Sequence, residues 1–267
     1  MENATVLDAA HTAMMAAPED EGARLAYYAA LADGMLFLML EADATLDDVR
    51  PVVVEMEEGA VVLAYSSEER LAAATDTPVP YAELPGRVIA AQLAGQGVAL
   101  GINLGAGVGE FLVAPEALVW LSQTLAHAPQ DVTARPLSFA APQGLPLGLM
   151  QALEGKLARA GGLAQVALLA AVRYDGGRSG HMLAFVGAQP GAQAALTRAA
   201  SEALTFSGVE AGEMDVTFLA EDNPALARMA RVARRFDFPQ AVAQGPASPA
   251  APRMGPGMDP AKPPNLR

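Results

Sequence analysis

Apolar positions recur at two spacings along the chain, and each switch between them marks a new element. Val6, Leu7, Ala10 and Met14 share one side of a predicted helix over about 4–16. A second helix starts near Pro18, repeats Leu25, Tyr28, Ala29 and Ala32, and stops at Asp33-Gly34. Extended segments follow. Met35–Leu40 is a short apolar run, and Val52–Met56 and Ala60–Tyr65 flank Glu57-Glu58-Gly59 as a hairpin. Ser66 with Glu69 makes a capping box for a short helix over Glu68–Ala74. A proline-containing link at 76–80 leads to a helix over about 82–94, stopped by Gly95 and Gly97. Val98–Leu104 and Glu110–Val113 read as strands, and Pro115 opens a helix through Leu125. The order is ααβββααββα for residues 1–128.

A linker at about 128–135 separates a second run of elements. It reads β (136–140), α (146–160), β (164–174), β (179–187), α (190–206), β (213–219) and α (224–235). Gly161-Gly162 stops the first helix, Asp175-Gly176-Gly177 turns between two strands, and Asn223-Pro224 caps the last helix. The first six elements spell βαββαβ, which predicts a ferredoxin-like domain with an added C-terminal helix. Residues 239–267 hold 8 prolines and 3 glycines with few large apolar side chains to offset ordering entropy. The expected class is therefore α+β: small mixed domains over 1–128 and 135–236, then a disordered Pro-rich tail over 237–267.

Composition narrows the function. Of 267 residues, 52% are hydrophobic and 18% charged, which excludes a wholly disordered chain. There are no cysteines, so disulfides, thiolate nucleophiles and cysteine metal sites are excluded. The net charge of -13 is unevenly spread: residues 1–128 carry a net -15 and residues 129–267 a net +2. An acidic first half repels phosphate backbones, so no nucleic-acid partner is expected. The N-terminus lacks a cationic start followed by an apolar run, and no apolar run approaches the ~20 residues that span a bilayer. No membrane partner is expected, and the compartment read from this is the cytoplasm.

Candidate chemistry is sparse. Asp8 and His11 share a side of the first helix and read as a surface pair. His127 falls at a helix C-terminus, and His181 falls on a strand. No metal or other cofactor is called for, and no catalytic residue is assigned. Gly101–Gly109 has the glycines of an amide cradle, but position 110 is Glu where a nucleotide fingerprint needs Gly, and a strand follows. A structural turn is the favoured reading there. If a small molecule binds, Asn103, Gly105, Gly107 and Gly109 are the expected contacts. Gly177-Arg178-Ser179-Gly180-His181 departs from a serine elbow at its last position and reads as a turn. Glu41, Asp43, Asp47 and Asp48 read as a solvated acidic connection. Arg228, Arg231 and Arg235 would line one face of the last helix at i, i+3, i+7. They are the expected protein-partner contacts, including intramolecular docking onto the acidic first half. Trp120 is expected to anchor the first core.

Five stretches carry a family resemblance: LDAAHTAMMAAPED from Leu7, Leu36–Leu40, AVVLAYSSEERL from Ala60, LPGRVIAAQLAGQGVALGINLG from Leu84, and FLVAPEALVWL from Phe111. In this order they resemble the N-terminal domain of the enhanced-serine-sensitivity protein family, SseB. The second half is similar to that family's C-terminal domain in layout. The resemblance implies a bacterial cytoplasmic protein linked by name to serine tolerance, and it supplies no reaction, cofactor or catalytic residue. The leading expectation is a non-catalytic binding or regulatory protein with an unknown protein or small-molecule partner. The rival is a small-metabolite enzyme with an inter-domain cleft; if Tyr65, Arg87, Asn103 and Glu110 line one pocket, the enzyme or the ligand reading gains. A structural assembly subunit is the third.

Overall fold

A computed structural model describes residues 4–43, 49–57, 59–75, 77–126, 135–175, 177–208 and 214–239. In the first half, α1 (Val6–Ala16) opens with a reciprocal cap: Thr5 Oγ1 accepts from Asp8 N, and Asp8 accepts from Thr5 N. Asp20 caps α2 (Glu21–Asp33) through Gly22 N. Next come β1 (Met35–Met39), β2 (Val53–Met56), β3 (Gly59–Tyr65) and α3 (Glu68–Ala73), the last capped by Ser67 rather than Ser66. Then follow β4 (Tyr81–Pro85), α4 (Gly86–Leu93), β5 (Ala99–Ile102), β6 (Phe111–Val113) and α5 (Pro115–Ala126).

The first sheet runs β4-β1-β3-β5-β6, with β2 also on β3. Among the described residues of this sheet, β3 and β5 pair in parallel and the other pairs are antiparallel. Leu7, Leu31, Leu36, Ile89, Leu100 and Leu118 join the helices to one face of this sheet in a single core. Met39, Tyr65 and Leu71 form a smaller cluster that includes α3.

The helix expected over 82–94 begins four residues late, because Tyr81–Pro85 is a strand on β1. Ala82 and Leu84 pack toward the core at period two, a signal only five residues long. Gly86 then lets the chain pass close to α2: a Cβ there would lie 1.9 Å from the Leu31 carbonyl oxygen.

The second half contains β7 (Pro136–Ala140), α6 (Leu147–Arg159), β8 (Val166–Tyr174), β9 (Ser179–Val186), α7 (Gln193–Thr205), β10 (Met214–Leu219), α8 (Pro224–Ala230) and β11 (Arg234–Asp237). The first six elements come in the expected order, but the sheet is not ferredoxin-like. That arrangement splits its βαβ units around an intervening strand. Here β9 and β10 lie side by side in parallel, β7 is antiparallel to β8, and the order is β10-β9-β8-β11. Buried clusters on both faces of this sheet explain the unbroken apolar run of β8.

The last expected helix ends at Ala230. Beyond it Phe236 and Phe238 are buried while Arg235 and Asp237 are exposed, a period-two pattern that pairs β11 with β8. The expected tail boundary moves accordingly. Asp237 is in a strand, Phe238 joins the core, and Gly162 N donates to the Pro239 carbonyl. The remainder of that expectation, 240–267, and most of the expected linker lie outside the described residues. Among the described residues no helix is long and apolar enough to cross a membrane.

The two halves meet along an aromatic ladder. Phe206 at the end of α7 joins the first core and meets Trp120 edge-on at 6.2 Å; Trp120 meets Tyr28 at 5.2 Å. Trp120 is 38% exposed, so it belongs to this junction, and Leu118 and Leu121 fill the core positions expected of it.

Candidate functional site

Charged side chains from both halves converge beside that ladder. Asp33 is the last residue of α2 and Arg87 lies in the first turn of α4, while Lys156 and Arg159 stand one turn apart on α6 and Glu202 sits on α7. Asp33 Oδ1 accepts from Lys156 Nζ at 2.9 Å and from Arg87 Nη2 at 2.5 Å; its Oδ2 accepts from Arg159 Nη2 at 2.5 Å. Glu202 accepts from Arg87 Nη1 at 2.9 Å and Nη2 at 3.1 Å, and Lys156 also donates to it. Burial pushes the Asp33 carboxyl up, but Lys156, Arg159 and Arg87 together outweigh it and hold the group below the usual carboxylate range. The same contest, settled by Arg87 and Lys156, holds Glu202 down. Both carboxylates are therefore ionised and committed.

Next to this cluster a cleft of about 810 Å³ separates α1 and α2 from α6 and α7. Its α2 wall includes Ala26, Ala29 and Ala30, and its α6 wall Gly148, Gln151, Ala152 and Gly155. Lys156, Glu202 and Phe206 also line it. A Cβ added at Gly148 or Gly155 would meet nothing within 4 Å, so close packing does not require these helical glycines. Gly155, in the helix interior, costs it about 1 kcal/mol relative to alanine.

A second polar centre lies inside the first half. Arg70 is clamped on Asp8 by Nη1 at 2.5 Å and Nη2 at 2.8 Å, and Nη1 also reaches Ser66 Oγ at 2.6 Å. Burial raises Asp8, but hydrogen bonds from Arg70 and Thr5 outweigh it and lower the carboxyl. The expected surface pair is thus a correction: Asp8 is buried, and His11 packs against Tyr27 and Phe111. Sequence spacing along one helix could not reveal a partner on α3.

The candidate loop abuts this centre. Asn103, fully buried at a φ of 53°, accepts from Ser66 N through Oδ1 at 2.8 Å and donates to the Gly109 carbonyl at 3.4 Å. Gly105, Gly107 and Gly109 all have positive φ. The amide of Gly107 already donates to the chain's own Glu110 carboxylate at 2.9 Å. Tyr65 donates to the Leu104 carbonyl at 3.1 Å. Tyr65, Asn103 and Glu110 thus gather at the loop, whereas Arg87 belongs to the inter-half cluster.

The three arginines expected on one helical face are separated. Arg228 lies over the Phe139 ring at 5.7 Å, Arg231 caps the end of α8, and Arg235 pairs with Asp237 on β11. The contacts of Arg228 and Arg235 lie within the second half. His181 Nε2 is 3.1 Å from the Gln143 carbonyl oxygen, at a shallow hollow with Ser179 and Gly180. Glu41, Asp43 and Glu57 are exposed; His127, Asp47, Asp48 and Glu58 lie outside the described residues. Among the described residues no group of three or more His, Cys, Asp or Glu could hold a metal ion.

Sequence reasoning read Asp33 as a helix stop and did not single out Lys156, Arg159 or Glu202. One signal was available: Lys156 stands between Leu153 and Leu157 on the core-facing side of α6, where a cation needs partners.

In comparisons with known proteins, residues 7–120 match the family model of the SseB protein N-terminal domain. No match was found among the curated proteins or the solved structures.

Proposed function

With residues 7–120 an SseB N-terminal domain, we propose that the whole chain is a cytoplasmic binding or regulatory protein whose small-molecule ligand occupies the cleft between that domain and the second half. The observation that carries this reading is the cleft itself, about 810 Å³ with apolar walls and a charged cluster at its edge. Ligand sites share that composition, an apolar body with a few convergent polar groups. The two glycines of α6 that open onto it fit the same use.

A binding role is favoured over catalysis by the state of the carboxylates. A general acid or base works best with a pKa near the operating pH. Asp33 and Glu202 are held in the opposite direction, each already engaged by two or more cations.

Thermal-shift screening of the full chain against metabolites, serine and related amino acids included, tests the proposal. A ligand at 100 times its Kd adds about 2.7 kcal/mol to stability. It should also change the fluorescence of Trp120, which touches Phe206 on the cleft wall. A screen without a hit overturns the reading. So does turnover of a metabolite that one side-chain replacement abolishes.

A further inference from the structure

Resting on the reading that the cleft is a ligand site, we propose that its ligand is a small organic anion, an apolar body bearing one carboxylate, and that Arg159 recognises the charged group. The argument begins with the charge count. Among the described residues Arg87, Lys156 and Arg159 pair only with Asp33 and Glu202, so the cluster carries one uncompensated positive charge. This stands out in a chain of net -13. A monoanion brings the cluster to neutrality, whereas a cation would add to the excess.

Arg159 is the member placed to deliver that charge. Arg87 uses both terminal nitrogens on Asp33 and Glu202, and Lys156, nearly buried, bridges the same two carboxylates. Arg159 is 52% exposed, lines the cleft, and makes one hydrogen bond among the described residues, from Nη2 to Asp33 Oδ2. A guanidinium has five N–H donors in a planar fork suited to a carboxylate. Asp33 holds that fork in place without satisfying it.

The rest of the cleft sets the ligand's body and direction. Its alanines and Phe206 are apolar, and Thr5, Ser66, Gln151 and Ser207 add polar groups without charge. The carboxylate of Asp20, which also lines the cleft, caps the other end of α2, about 20 Å along the helix from Asp33. An anionic head is thus drawn to the Arg159 end and repelled from the Asp20 end.

The test compares two fluorescent probes on the full chain: 8-anilinonaphthalene-1-sulfonate, an anion, and N-phenyl-1-naphthylamine, the same apolar body without charge. Energy transfer from Trp120, the single tryptophan, reads binding near Phe206. Expected are at least tenfold tighter binding of the anion, its displacement by sodium decanoate, and a tenfold or greater loss in Arg159→Gln with the neutral probe unchanged. Gly155→Leu, which fills the cleft, should weaken both probes. Equal affinity for the two probes, or an anion affinity untouched by Arg159→Gln, overturns the anion assignment and leaves the cleft reading standing. Absence of energy transfer with either probe overturns both.

Discussion

Replacing Arg70 by Met should remove a large share of the stability of the first half. The guanidinium and the Asp8 carboxylate are only 4% and 9% exposed, and they are joined by two hydrogen bonds. Removing one partner strands the other charge where water cannot reach it, at a cost of about 3–5 kcal/mol. At about 2–4 °C per kcal/mol for a chain of this size, the melting temperature should fall by about 6–20 °C. Asp8→Asn should cost a comparable amount, since it leaves the buried cation facing a neutral amide. The double variant Asp8→Asn/Arg70→Met carries neither charge. It should be less destabilised than the sum of the singles by about 2–3 kcal/mol or more. Urea unfolding followed by Trp120 fluorescence measures all four proteins. Strictly additive losses would refute the reasoning, because they would mean that the two groups stabilise the fold independently of each other.

Acid should unfold the protein through the same carboxylates. Asp8, Asp33 and Glu202 have folded pKa values below their ordinary 3.8, 3.8 and 4.5. The unfolded chain therefore binds more protons in that window, and the stability these groups contribute is complete above about pH 4.5 and lost as pH falls through the depressed values; a urea midpoint that stays constant from pH 7 to pH 3 would contradict this. Gly86→Ala should lower stability by about 2 kcal/mol or more, since its Cβ would lie 1.9 Å from the Leu31 carbonyl oxygen and backbone has to move. Gly155→Ala, with open space around it, is the control and should raise stability by about 0.5–1 kcal/mol in the same urea titration. Phe238→Ala should cost about 3–5 kcal/mol in calorimetry, because the ring is part of the second core.

What could be read from sequence was whatever declares itself locally. Pro224 after Asn223, and Glu57-Glu58-Gly59 between two apolar runs that pair as β2 and β3, mark elements by chemistry within a few residues, whereas Gly34 ends α2 at a φ of -73°, a conformation open to any residue. Strand β4 and strand β11 were missed because each spans four or five residues beside a stronger helical pattern. Sheet order was missed for a different reason: βαββαβ names a succession, and which edge β7 takes on β8 depends on pairings far apart in the chain. The charged cluster is non-local in the same way. Asp33, Arg87, Lys156 and Glu202 come from four helices in two halves, and no spacing between them carries meaning before the halves meet. The loop at Asn103–Gly109 was visible as glycine-rich; that one of its amides, Gly107 N, donates to the nearby Glu110 carboxylate was not.

Both sheets place two short strands end to end along one edge of a longer one. On β3, Val53–Met56 adjoins its first residues and Phe37-Leu38 its last; on β8, Arg234–Asp237 adjoins Val166–Leu169 and β7 the remainder. Such a seam closes only when both pieces have arrived. As the polypeptide leaves the ribosome, β8 and β9 can form their hairpin early, but the flank beside Val166–Leu169 stays open until Phe236 has been synthesised. Through that interval half an edge of the second sheet offers unpaired backbone to any neighbouring nascent chain, and the speed with which the final strand follows sets how long the exposure lasts.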